Sequence, residues 1–372
     1  MRLPLLVVVM LVAVVAAGCG SAGQPRFRVG AVEDAAKAGD ANAAMQLAAA
    51  SGFSVVVLSS VWTRGAAAPS PDELAALQRA SIAADGADIE PIVAVYSFSS
   101  NTPDDQADRD QFASYTAAVV RAVPQLKAVI VGNEPNLNLF WLPQYDAAGG
   151  DAAAAAFEAL LARTYDAVKE ARHSVEVIGA GLAARGSDDP SAPRQTHSPT
   201  RFLLDLAAAY RASNRQQPIM DALSIHPYGE TPEVPPTLTH PHSTTIGIAD
   251  YDKLRDLLRS SFAGTHQQGD DLPIVYGEYG VETTIPAAKA HLYTGSELVD
   301  AVSERTQATY YREAVALAAC QPTVQLLLFF HVQDESRLEG LQSGTRYADG
   351  SAKSSLPAVR SAIRACAHSC CH

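Results

Sequence analysis

Apolar residues along this chain fall into two kinds of segment that alternate. Short runs rich in Val, Ile and Leu read as strands at residues 27–32, 54–59, 89–96, 128–132, 175–179, 222–226, 274–278 and 324–331. Longer Ala- and Leu-rich segments read as helices at 41–51, 71–85, 104–123, 151–173, 200–212, 250–262, 304–320 and 356–367. Parallel strands need helical crossovers, so strict alternation predicts a parallel sheet. Eight such units closing on themselves predict a (β/α)8 TIM barrel, a single α/β domain. An open doubly wound sheet is the rival. It usually has fewer strands, and the residues after the first strand, Glu33-Asp34-Ala35-Ala36-Lys37, make no Gly-rich phosphate turn. A length of 372 residues, 48% hydrophobic, suits one large barrel with insertions. The longest irregular stretch, 227–249, carries five prolines and two histidines and is expected to form a wall or lid of a cleft.

The N-terminus changes this picture. Met1-Arg2 precedes a charge-free run over 3–17, too short for a membrane span and suited to a secretory signal core. The run ends in Ala16-Ala17-Gly18-Cys19, which resembles a bacterial lipobox. That resemblance implies cleavage before Cys19 and its lipidation. The expected organisation is a signal peptide (1–18), an anchor linker (19–25), the barrel (26–367) and a Cys/His tail (368–372). The expected location is the outward face of the cell membrane, with plain secretion as the alternative. Four cysteines then remain: Cys320, Cys366, Cys370 and Cys371. In an oxidising compartment they favour disulfides over a metal site, with three possible pairings. Cys320 and Cys366 close the last two helices, so a bond between them is expected. A net charge of −12, spread along the chain, argues against nucleic acid or an anionic membrane surface as partner. A neutral polymer fits better, with the membrane engaged only through the anchor. Oligomeric state is not legible here.

Chemistry in such a barrel belongs to the C-terminal strand ends. The fourth strand runs into Gly132-Asn133-Glu134-Pro135, the sixth into His226-Pro227-Tyr228, the seventh into Gly277-Glu278-Tyr279-Gly280 and the eighth into Phe329-Phe330-His331. Two glutamates on different strand ends suit glycosidic cleavage. One protonates the leaving oxygen; the other attacks the anomeric carbon or activates water, according to the gap between the carboxyl groups. No Gly-x-Ser-x-Gly elbow supports serine hydrolysis.

In order and spacing the Asn133-Glu134-Pro135, His226-Pro227-Tyr228 and Gly277-Glu278-Tyr279-Gly280 motifs resemble the clan A glycoside hydrolases across about residues 26–367. The resemblance implies a retaining double displacement with Glu134 as acid/base and Glu278 as nucleophile. It further implies that Asn133 binds a sugar 2-hydroxyl and that His226 and Tyr228 position nucleophile or substrate. The substrate class is then an oligo- or polysaccharide, with no cofactor and no metal. Where many clan members carry a Trp on strand eight, this chain has Phe329, Phe330 and His331. His331, Trp62 and Trp141 are therefore the candidate sugar contacts, and Arg64 beside Trp62 a candidate partner for a hydroxyl or acidic group. The competing function is a non-catalytic carbohydrate-binding lipoprotein on the same barrel. Glu282 is the rival nucleophile. Tyr276 and Tyr279 read as barrel packing, and Glu33, Asp34 and Asp334 as loop carboxylates. His240 and His242 lack a third metal ligand.

Overall fold

The computed structural model describes residues 27–368. Its strands are β1 (Arg28–Val32), β2 (Val55–Val61), β3 (Glu90–Tyr96), β4 (Ala128–Val131), β5 (Glu176–Ala183), β6 (Ala222–His226), β7 (Ile274–Tyr279) and β8 (Val324–Phe330). All pair in parallel, each with its sequence neighbour, and β8 closes on β1 as a barrel. The helices are α1 (Ala35–Ala38), α2 (Ala41–Ala50), α3 (Pro71–Asp85), α4 (Gln106–Ala122), α5 (Ala152–Ala171), α6 (Pro199–Ala212), α7 (Tyr251–Phe262), α8 (Glu304–Ala319) and α9 (Ser355–His368). The expected (β/α)8 architecture is present. Only α1, one turn long, had no periodic signal to announce it.

Strand alternation builds two cores. Val55, Val57, Ile92, Ile130, Ile178 and Leu328 fill the barrel interior. Their neighbours Val56, Leu58, Val93, Val129, Val177 and Leu327 point outward and pack under the helices. Helix starts are set locally. Asp40, Ser70, Asp105, Asp151, Ser198 and Ser303 each accept a backbone N–H of the first turn, and Pro71 and Pro199 occupy the first helical positions. At the N-terminal end of the barrel, Arg28 pairs with Glu90 at 2.8 Å and Gln325 donates to Glu176 at 2.8 Å. This leaves the opposite face for chemistry.

The disulfide expectation needs correction. Cys366 carries a free thiol, facing the Val315 carbonyl of α8 at 4.0 Å, whereas Cys320 is disulfide-bonded. The two are not joined. Cys320 caps α8 five residues beyond Val315, about 7 Å further along the axis. Cys19, Cys370 and Cys371 lie outside the described residues, as does the charge-free N-terminal run. Among the described residues no helix is long and apolar enough to cross a membrane.

Candidate active site

Three local distortions aim the polar side chains at the barrel mouth. After β4 the chain turns through Gly132, at φ +92°. A Cβ there would lie 2.7 Å from the Phe157 ring, so glycine is required on both counts. Glu134 then adopts φ +41° while its N–H bonds the Gly181 carbonyl at 2.8 Å. A side-chain-bearing residue held there costs on the order of 1 kcal/mol or more. The acceptor comes from a bulge in β5, where Ala180 and Gly181 also have positive φ and the register slips. In β7 the register with β8 slips between Tyr276 and Tyr279. That slip turns Glu278 into the mouth, while Tyr276 and Tyr279 stay in the outer core.

The result is a compact cluster. His226, nearly buried at the end of β6, places Nδ1 3.2 Å from Glu134 Oε1 and 3.6 Å from Glu278 Oε2. Those two oxygens, sharing one nitrogen, are therefore at most about 7 Å apart. Tyr228 donates its hydroxyl to Glu278 Oε2 at 3.1 Å. Gly277 makes room for this arrangement, since a Cβ there would sit 2.2 Å from Ser224 Oγ and 3.1 Å from His226.

Electrostatics follow from crowding. Burial raises the Glu278 carboxyl above its ordinary value; His226 opposes this, Glu134 adds to it, and the Tyr228 hydrogen bond opposes it. Burial disfavours a charged His226, but the Glu278 charge and the Glu134 hydrogen bond outweigh it and push the imidazole up. Burial, reinforced by both carboxylates, keeps Tyr228 a neutral phenol and hence a donor.

The cluster lies in a cleft of two lobes that meet at Glu134. One, about 720 Å³, runs toward β8 and β1 and is lined by Asn133, Glu278, His226, Phe330 and His331. The other, about 790 Å³, runs toward β6 and is lined by Tyr228, Thr231, Val234, Tyr279 and Glu282. The segment at 227–249 thus forms a wall, tied down where Arg185 donates to the Gly229 carbonyl at 2.9 Å.

No family model and no curated protein matches this sequence. Solved structures do. One is a family 39 glycoside hydrolase from the gut symbiont Bacteroides cellulosilyticus WH2, at 17% identity and TM-score 0.65, covering 91% of this chain and 64% of that one. Another is the exo-beta-1,4-mannosidase Op5Man5 from Opitutaceae bacterium strain TAV5, at 16% identity and TM-score 0.56, covering 91% and 59%. A third is a glucosidase from Croceicoccus marinus, at 14% identity and TM-score 0.60, covering 93% and 69%. The chain has the fold of clan A glycoside hydrolases. It spans less than two thirds of the length of the first two.

On this glycoside hydrolase fold, Glu134, Glu278, Asn133, His226, Tyr228 and His331 all come together at the mouth. Both tryptophans do not. Trp62 is fully buried, donates to the Ala66 carbonyl at 2.7 Å and packs edge-on against Phe112. Trp141, 3% exposed, packs edge-on against Phe157. Neither presents a free ring face, so both are corrected from sugar contacts to core residues. Arg64 is likewise committed, to Asp108, Asp104 and the Thr102 carbonyl. Asp334 is no solvated loop carboxylate either: it is buried against Lys353 Nζ at 2.8 Å and the Tyr293 hydroxyl at 2.8 Å. Glu33 accepts the Val332 N–H at 3.2 Å and so anchors the loop after β8.

The aromatic surface that sequence reading missed is on the β3 side. Phe98, 42% exposed, stacks on Phe140 with centroids 5.5 Å apart and planes at 23°, and Tyr96 meets both edge-on. All three line the β8-side lobe. Tyr96-Ser97-Phe98 at the end of the third strand was the available signal. His240 is held by Asp250 at 2.7 Å, and no cluster of three metal-ligating side chains occurs among the described residues.

Proposed function

We propose that this chain is a retaining glycoside hydrolase that cleaves an oligo- or polysaccharide by double displacement. The observation that carries the reading is the pair of carboxylates from β4 and β7 meeting on one histidine in an open cleft. Two of their oxygens lie within about 7 Å of each other, a limit that takes in the ~5–5.5 Å carboxyl spacing of retention and leaves out most of the ~6.5–9.5 Å of inversion. Glu278 Oε2 attacks the anomeric carbon while Glu134 gives its proton to the departing glycosidic oxygen. A glycosyl ester on Glu278 results. Water then attacks the same carbon, Glu134 takes its proton, and Glu278 leaves as carboxylate. His226 bridges the two carboxylates and holds their relative position. Tyr228 stabilises the charge on Glu278 before attack and after release. Asn133, beside Glu134, is placed to meet a sugar hydroxyl, and Phe98 with Phe140 supplies a stacking face.

The test is a pair of mutants on an activated aryl β-glycoside, found by screening. Glu278→Ala should lose on the order of 10²–10⁴-fold or more, and azide should restore turnover with inverted product. Glu134→Ala should accumulate a covalent intermediate on Glu278, and azide should release it with retained configuration. Near-native turnover by Glu278→Ala sinks the assignment. Glycan binding without cleavage of any glycoside by the wild type would favour the carbohydrate-binding reading instead.

A further inference from the structure

The segment that follows Glu278 is held by side chains where the strand ladder stops. β7 pairs with β8 as far as Tyr279 opposite Phe329, after the slip that turns Glu278 inward. Beyond that point the Phe330 carbonyl accepts the Ser343 hydroxyl at 2.6 Å, and among the described residues no backbone group bonds the N–H or carbonyl of Val281. Two side chains of α8 take over. The Tyr311 hydroxyl accepts the Val281 N–H at 3.1 Å, and Gln307 Nε2 donates to the Val281 carbonyl at 2.9 Å. Gln307 and Tyr311 lie four residues apart, on one face of the helix, and both are fully buried. Each also donates to the Ser343 carbonyl, Tyr311 at 2.5 Å and Gln307 at 3.2 Å. Burial keeps Tyr311 a neutral phenol, so it donates to one carbonyl while accepting from one N–H.

This clamp reaches Glu278 through two residues. The Tyr311 ring packs 5.9 Å from the Tyr279 ring and 4.4 Å from the Phe329 ring, centroid to centroid, and so holds Tyr279 in the outer core. Successive side chains of a strand point to opposite faces, so Tyr279 held outward keeps Glu278 directed into the cleft. Val281, gripped at both backbone groups, stops the chain beyond Tyr279 from sliding along β8. We propose that Gln307 and Tyr311 are positioning residues for the nucleophile, acting on Glu278 through Tyr279 and Val281 and touching no substrate. The inference rests on the hydrolase reading, in which Glu278 must meet the anomeric carbon in one geometry.

The experiment labels Glu278 with an activated 2-deoxy-2-fluoro aryl β-glycoside of the sugar found by screening. Glu278 Oε2 bonds the anomeric carbon, the phenolate departs with the bonding electrons, and the fluorine slows hydrolysis of the ester. The inactivation rate constant at saturation reports attack, and the half-saturating concentration reports binding. Tyr311→Phe keeps the ring and removes only the hydroxyl. Its inactivation rate constant should fall about tenfold, short of the roughly hundredfold cost of a 1 Å misplacement, with the half-saturating concentration unchanged. Gln307→Met, which removes the second grip, should act in the same sense. Tyr165→Phe, which loses a phenol hydrogen bond to Asp221 at the opposite end of the barrel, should change neither constant. Thermal unfolding checks that each variant is folded; if Tyr311→Phe is not, Gln307→Met decides alone. An unchanged inactivation rate constant in the folded variant overturns the clamp. So does a fall matched by weaker binding, or the same fall in Tyr165→Phe, since either marks a general loosening. All three leave the hydrolase reading intact, because the wild type is labelled on Glu278. A wild type that is not labelled there removes that reading, and the clamp with it.

Discussion

Removing the Tyr228 hydroxyl isolates one interaction in the carboxylate cluster. In Tyr228→Phe the ring stays and Glu278 Oε2 loses a donor at 3.1 Å. A hydrogen bond to a charged group is worth ~1.5–3 kcal/mol. At 3.1 Å the bond is long for O–H···O, whose usual range is about 2.5–3.0 Å, so the low end applies. About 1.5 kcal/mol is roughly a tenfold loss in kcat/KM. The sign of the pH effect follows from the same bond. It favours ionised Glu278, which is the attacking form, and burial already raises that carboxyl. Without Tyr228 the carboxyl rises further, so the acid limb of the kcat/KM profile moves to higher pH. That profile reports the free enzyme. The assay is initial rates on an activated aryl β-glycoside across both limbs, with wild type and mutant matched for thermal midpoint. A loss below twofold with an unmoved acid limb refutes the role of Tyr228. An acid limb displaced to lower pH refutes the sign.

Four further outcomes are expected. Because the folded state raises Glu278, it holds a proton that the unfolded chain releases, and stability is lost as pH climbs from the ordinary carboxylate range through the raised value. Glu278→Gln should then raise the thermal midpoint at pH 8 by on the order of 2 °C, with the gain shrinking toward pH 5; no gain at pH 8 contradicts the burial argument. Asp334→Ala leaves Lys353 unpaired in a site where both side chains are fully buried, and should cost ~3–5 kcal/mol in denaturant unfolding. Trp141→Ala should also cost stability, ~3–5 kcal/mol, whereas Phe98→Ala should instead weaken substrate binding by roughly tenfold; a KM effect from Trp141 in a still-folded variant would restore it to the cleft. We propose that Cys19 is lipidated at the outward face of the membrane, so Cys19→Ala should release the protein from the membrane fraction, and unchanged fractionation excludes the anchor.

The period of the apolar residues determined the barrel. Runs apolar on both faces, such as Val55-Val56-Val57-Leu58, call for a parallel sheet covered on both sides, and eight of them alternating with helices close as a barrel with one set of side chains in the interior and the other under the helices. Strand ends were legible for the same reason: Glu134, His226 and Glu278 stand where an apolar run stops. Their meeting was not legible. It depends on a left-handed backbone at Glu134, a bulge in β5 that offers the Gly181 carbonyl, and a slip in β7 that turns Glu278 inward. Each is an irregularity that local propensity does not announce. Composition also misled at the tryptophans. A large ring on a loop reads the same whether it faces a sugar or another ring, and only packing against Phe112 and Phe157 decided. Burial and partnership are relations between distant parts of a chain, so tertiary structure alone could assign them.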